Sequence, residues 1–82
     1  MWYVYIVQCS DNTYYTGISN DVNKRIKAHN EGKGAKYTKN RSPVVLKYCA
    51  DFPNRSEASK EEYRIKQLSR EEKIKMIKKP QE

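Results

Sequence analysis

Trp2-Tyr3-Val4-Tyr5-Ile6-Val7-Gln8 and Thr13-Tyr14-Tyr15-Thr16-Gly17-Ile18-Ser19, separated by Cys9-Ser10-Asp11-Asn12, decide how this chain folds. Both stretches are rich in β-branched and aromatic residues, and the first alternates, so each reads as a strand. Ser10-Asp11-Asn12 is a turn cluster, and a three-residue loop with Asn12 in the left-handed region makes a hairpin. In that register Cys9 faces Thr13, Val7 faces Tyr15 and Tyr5 faces Gly17. Tyr3, Tyr5 and Tyr15 then share one face, because directly paired residues point the same way. A two- or four-residue loop would put Tyr5 and Tyr15 on opposite faces.

Beyond the hairpin, Asn20 or Asp21 caps a helix that runs to about Asn30 and stops at Gly32. Its apolar stripe is Val22 and Ile26, and Arg25 and His29 fall on or beside that stripe. A basic connector, Gly32-Lys33-Gly34-Ala35-Lys36-Tyr37-Thr38, leads to Pro43 and a third strand over Val44 to Ala50, ended by Phe52-Pro53. Asn54 with Glu57 and Ser69 with Glu72 have capping-box spacing. They start a helix to about Leu68, with Ala58, Ile65 and Leu68 inward, and a last helix with Ile74 and Ile77 inward, stopped by Pro80. The expected fold is α/β: a three-stranded antiparallel sheet flanked by helices, in the order β-β-α-β-α-α.

The 82 residues suffice for one domain, 1–82. The first apolar run, Trp2 to Val7, is too short for a signal core or a membrane span. Cys9 and Cys49 have no metal-type or redox spacing, so they read as reduced thiols of a cytoplasmic protein, with a disulfide between them as the alternative. The net charge is +7, and residues 24 to 47 alone carry eight Lys or Arg against one acid, Glu31. A basic stretch so concentrated suits a polyanion, most often nucleic acid, although a solvated face has the same composition.

The blocks Trp2-Tyr3-Val4-Tyr5-Ile6, Tyr14-Tyr15-Thr16-Gly17-Ile18, Arg25-Ile26-Lys27-Ala28-His29-Asn30, the Gly32–Thr38 connector and Ser56-Glu57-Ala58 through Ile65-Lys66 resemble the GIY-YIG nuclease superfamily. The resemblance is closest to small, single-domain bacterial members and covers nearly the whole chain. Tyr3 stands where the name-giving pattern has glycine, and Thr16 replaces its isoleucine; single-domain members commonly tolerate both. Asn12 stands where glycine is usual and fits the same left-handed geometry.

The resemblance implies hydrolysis of a phosphodiester with one divalent ion, Mg²⁺ or Mn²⁺. Glu62 is the implied metal ligand, with Glu61 as the alternative. One carboxylate and several waters suit Mg²⁺. By motif position Tyr5 is the general base, and its phenol, with a free pKa of about 10, must be lowered by nearby cations. Arg25 would supply that field and stabilise the phosphorane. Tyr15 would position water or phosphate, and His29 would assist the base. Tyr3 and Gly17 belong to the structural motif. Lys33, Lys36, Lys39 and Arg41 read as phosphate contacts, with Tyr37 stacking on a base or bordering the site.

Each residue also has a plainer reading. Tyr5 and Tyr15 suit half-buried strand positions. Arg25 would serve as a partner for Glu61 or Glu62. His29 is a cation in a last helical turn, and the connector is a basic loop. The expected function is a metal-dependent endonuclease acting on DNA, structure-sensing in repair or recombination. The alternatives are a weakly active or non-catalytic nucleic-acid-binding module, and a protein-interaction domain whose specificity comes from a partner protein. No membrane association is expected.

Overall fold

The computed structural model describes residues 1–33, 38 and 40–78. Strands β1 (Trp2–Gln8) and β2 (Tyr14–Ser19) are followed by helix α1 (Val22–Asn30). Strand β3 (Val45–Phe52) and helices α2 (Arg55–Lys66) and α3 (Arg70–Lys78) complete the chain. The order is β-β-α-β-α-α, as expected. β3 continues two residues beyond the expected Ala50, because Asp51 and Phe52 still pair with Tyr3 and Trp2. α2 stops at Lys66 rather than Leu68; Gln67 caps it, and the Leu68 amide closes the last turn on Ile65.

The sheet is antiparallel with β1 at its centre, in the order β2-β1-β3. Its hairpin has the three-residue loop read from the sequence. Asn12 is left-handed at φ 68°, and Tyr5 pairs with Gly17 and Val7 with Tyr15. Asp11 accepts from the Thr13 amide and hydroxyl, which holds the turn closed.

β1 is central and buried on both faces, so its alternation sorts two cores. Val4 and Ile6 pack with Ala58 and Ile65 of α2, joined by Met76 and Ile77 of α3. Tyr5, Val7 and Cys9 pack with Val44, and Tyr15, Val22 and Ile26 close over them from β2 and α1. α1 therefore covers the Tyr5 face, and α2 and α3 cover the other.

The caps explain the helix limits. The Asp21 side chain accepts from the Lys24 amide at 3.1 Å. At the far end Gly32 is left-handed at φ 76°, its amide bonds the His29 carbonyl and the Lys33 amide bonds the Ala28 carbonyl. This is a Schellman closure, for which glycine pays no Cβ penalty. Asn54 caps α2, and Ser69 with Glu72 forms a reciprocal capping box on α3.

Two motif positions have testable energetic consequences. Thr16 Oγ1 is buried on the α2 side without a hydrogen-bond partner. A buried orphan hydroxyl costs roughly 1–3 kcal/mol, so Thr16→Val is expected to raise stability by about 1 kcal/mol in urea unfolding. An unchanged or lower midpoint would mean that the hydroxyl is satisfied in solution. At Gly17 an added Cβ would lie 2.6 Å from Tyr5 Oη and 2.8 Å from its Cζ. The Tyr5 ring is buried and cannot swing aside, so Gly17→Ala is expected to cost about 1–3 kcal/mol. The same variant should change the nitrogen shifts of His29 in NMR spectra. Wild-type stability would show that the ring has room to move.

Candidate nuclease site

Tyr5 is the residue around which the site is built. Its ring lies over Gly17, where the missing side chain makes room for it. It is 1% exposed, yet its Oη is 2.9 Å from His29 Nε2, so the buried hydroxyl is satisfied. His29 is itself fully buried in the last turn of α1, held there by the Schellman closure. Its other ring nitrogen, Nδ1, is 2.7 Å from Thr38 Oγ1. Tyr5, His29 and Thr38 thus form a buried hydrogen-bonded row that joins β1, α1 and the connector.

Tyr15 closes the group from β2. Its ring centroid is 6.5 Å from that of Tyr5 and 5.4 Å from that of His29, both within ordinary aromatic packing range. Arg25 sits one turn before His29 on α1, half-buried, and its charge acts on both Tyr5 and His29. Tyr3 lies on the same face of β1, further along the strand.

Burial pushes the Tyr5 phenol above its usual pKa, against the lowering effect of the hydrogen bond and charge of Arg25. The sequence expectation of a lowered phenol is therefore not met in the chain alone, because desolvation outweighs one partly exposed cation. Burial, with the charge of Arg25, pushes His29 below the usual imidazole range. Near neutral pH the pair rests uncharged, as tyrosine and imidazole.

Glu62 and Glu61 separate clearly. Both flank the inner stripe of α2, one on each side. Glu61 is bonded by two guanidinium nitrogens of Arg64, at 2.6 and 2.8 Å, and its charge acts on Tyr48 of β3. Glu62 pairs with Lys66 at 3.0 Å and is, among the described residues, the only carboxylate whose charge acts on the Tyr5 phenol. It comes from the helix beneath the sheet, whereas His29 and Arg25 come from the helix above. β2, which pairs with β1 and carries Tyr15, is an edge strand of the sheet.

Among the described residues no group of three His, Cys, Asp or Glu could cage a metal ion. Glu62, whose charge acts on the Tyr5 phenol, is the carboxylate that would hold an ion here. Such a donor suits a hydrated hard cation such as Mg²⁺, which keeps most of its water. It does not suit Zn²⁺, which asks for three or four protein ligands. The residues present thus fit the ion that the sequence suggested.

The expected phosphate contacts are only partly described. Lys36, Tyr37 and Lys39 lie outside the described residues. Lys33 is exposed just past α1. Arg41 donates to Asp11 at 2.8 Å, and its carbonyl accepts from the Ser10 amide, so it ties the connector to the hairpin turn. Two residues that the sequence did not single out for this role hold the site together. Thr38 orients His29. Asn30 brackets Val44, accepting from its amide at 2.6 Å and donating to its carbonyl at 3.3 Å, which seats the end of α1 against the start of β3.

Residues 1–75 match the GIY-YIG catalytic domain. A UPF0213 protein of Staphylococcus haemolyticus is 59% identical over 75 residues, covering 92% of each chain. One from Halobacterium salinarum is 55% identical over 73 residues, covering 89% of this chain and 95% of its own. The solution NMR structure of a UPF0213 protein from Bacillus halodurans superposes with a TM-score of 0.60 at 47% identity, covering 94% of this chain and 83% of that one. No helix among the described residues is long and apolar enough to cross a membrane. The domain match and the near full-length identity agree with the motif order, and the chain belongs to the GIY-YIG family.

Proposed function

We propose that this protein is a metal-dependent endonuclease that hydrolyses phosphodiester bonds in DNA. The observation that carries the reading is the buried 2.9 Å hydrogen bond between Tyr5 and His29, flanked by Tyr15, Arg25 and Glu62. A fully buried tyrosine–histidine pair facing a cation and a carboxylate has the parts for proton transfer and for anion stabilisation.

The chemistry follows from the resting protonation. Tyr5 Oη–H donates to His29 Nε2 when His29 carries its proton on Nδ1, and Thr38 Oγ1 accepts that proton's hydrogen bond. A water attacking phosphorus passes its proton to Tyr5 Oη, while the Tyr5 proton moves to His29 Nε2. Tyr5 ends neutral and His29 becomes an imidazolium, so no free tyrosinate has to stand in the buried site. Arg25 lies beside the position of the developing phosphorane charge and stabilises it. Arg25 also disfavours the imidazolium, which drives His29 to return its proton. Tyr15 holds the water or a phosphate oxygen by its hydroxyl. Glu62 would hold the divalent ion, whose bound role is to polarise the phosphate and stabilise the departing oxygen.

The test is cleavage of plain, flapped and branched DNA with Mg²⁺ or Mn²⁺. Glu62→Gln, which keeps the shape and loses the charge, is expected to abolish metal-dependent cleavage with the fold intact. Arg25→Ala is expected to slow single-turnover cleavage by about 10²–10³-fold. Salt-sensitive binding without product under either ion would replace the nuclease with a binding module. Wild-type rates in Glu62→Gln would remove its metal role.

A pH series tests the His29 environment without any substrate. Its folded pKa is depressed below an unfolded value of about 6.5. The unfolded chain therefore takes up a proton first as the pH falls, and stability drops from about pH 7 downward. His29→Gln is expected to flatten the urea midpoint between about pH 7 and 5. The lowered carboxylates Asp11, Glu61 and Glu72 act only at more acid pH. A midpoint in the wild type that is flat across that window would mean that His29 titrates as in the open chain.

A further inference from the structure

The outer face of α2 carries a set of groups that the proposed chemistry does not use. The helix is seated by Ala58 and Ile65, so its outward side is set. On that side Arg55, Ser56, Ser59, Lys60 and Tyr63 line an open depression of about 780 Å³. Tyr63 is 71% exposed and makes no hydrogen bond or ring contact with the described residues. A single exposed ring is ordinary by itself; what sets Tyr63 apart is that cations and hydroxyls line the same depression.

The surroundings of Tyr63 narrow what it would take. Arg55 is held over the Trp2 ring at 5.4 Å, so its cation is already positioned. Lys60 reaches Glu57 only at 3.5 Å with both groups largely solvated, a pair that is worth little and is easily exchanged. Ser56 and Ser59 add hydroxyl donors between them. An open aromatic face beside cations and hydroxyls is the chemistry of a single nucleic-acid strand. A duplex hides the faces of its bases and would need the cations alone. Tyr63 also follows Glu62 directly, so a strand lying on this face arrives beside the proposed metal ligand.

We infer that the outer face of α2 binds single-stranded nucleic acid, with a base stacked on Tyr63 and backbone phosphates on Arg55 and Lys60. The inference deepens the nuclease reading and rests on it for the chemical class of the ligand. It makes the preferred substrate one with an unpaired strand next to the scissile bond.

The experiment is fluorescence anisotropy with end-labelled oligothymidylate and, separately, a blunt hairpin duplex, in EDTA so that nothing is cut. Tyr63→Ala is expected to weaken oligothymidylate binding by about 5- to 150-fold, the range of one base–aromatic stack. Tyr63→Phe keeps the ring and should bind within about twofold of wild type. Duplex affinity should change little in either variant. Lys60→Ala should lower the slope of log K against log salt on the single strand by about 0.7. Tyr63 is exposed, so its variants are expected to keep the wild-type circular dichroism and urea midpoint.

Equal affinity of Tyr63→Ala and wild type for oligothymidylate overturns the inference, as does failure of the wild type to bind it. Cleavage with Mg²⁺ or Mn²⁺ separates the two readings. Tyr63-independent binding with cleavage retained sinks the strand path and leaves the nuclease standing. Tyr63-dependent binding without cleavage does the reverse.

Discussion

The arrangement depends on one buried contact, Tyr5 Oη to His29 Nε2 at 2.9 Å. A tyrosine at the centre of a sheet normally points its hydroxyl to solvent. Here the ring is buried, so the hydroxyl must find a partner inside. That requirement fixes several other features. The β1–β2 register has to bring a glycine opposite Tyr5. α1 has to end where His29 faces down onto the ring, and Gly32 ends it there. The connector has to return Thr38 to the far side of the imidazole. Shifting any of these leaves a polar group unpaired in a small core, where each such group costs as much as a large part of the total stability.

The same burial sets the electrical state of the site. The phenol is pushed up and the imidazole down, each by loss of solvent, so the pair is neutral. Arg25 alone does not reverse this. The charges that act on the Tyr5 phenol come from Arg25 and Glu62, outside the neutral pair. The two helices divide the work. α1 brings Arg25 and His29 to one face of the sheet, and α2 brings Glu62 to the other.

Much of this was legible in the sequence because local chemistry decided it. Asn12 tolerates the left-handed turn, and so the loop length, the register and the shared face of Tyr5 and Tyr15 followed. Asp21, Gly32, Asn54 and Ser69 marked helix ends through caps that the structure contains. The choice of Glu62 over Glu61 rested on the family resemblance alone, since both sit beside the inner stripe of α2 at equal angles. Only the tertiary position of the helix shows that one faces β3 and the other the Tyr5 phenol. Thr38 could not be singled out, because a connector has no period to reveal which residue turns inward. Arg41 reads as one more basic connector residue, yet it is engaged with Asp11, a pairing between positions thirty residues apart. The direction of the Tyr5 shift was missed for a related reason: desolvation depends on packing, while the nearby cation is visible in the motif.

β3 completes the sheet, and its outer edge pairs with no other strand among the described residues. Val45 and Leu46 on it are exposed, which in a longer, flatter strand would invite another chain to pair. The register slips between Tyr48 and Leu46, so Lys47 is an extra residue that bends the edge and carries a charge on it. Asp51 adds a charge of the opposite sign, and Pro53 follows the last paired residue. A domain this small has few ways to hide a sheet margin. Its third strand carries features that discourage the sheet from growing by addition.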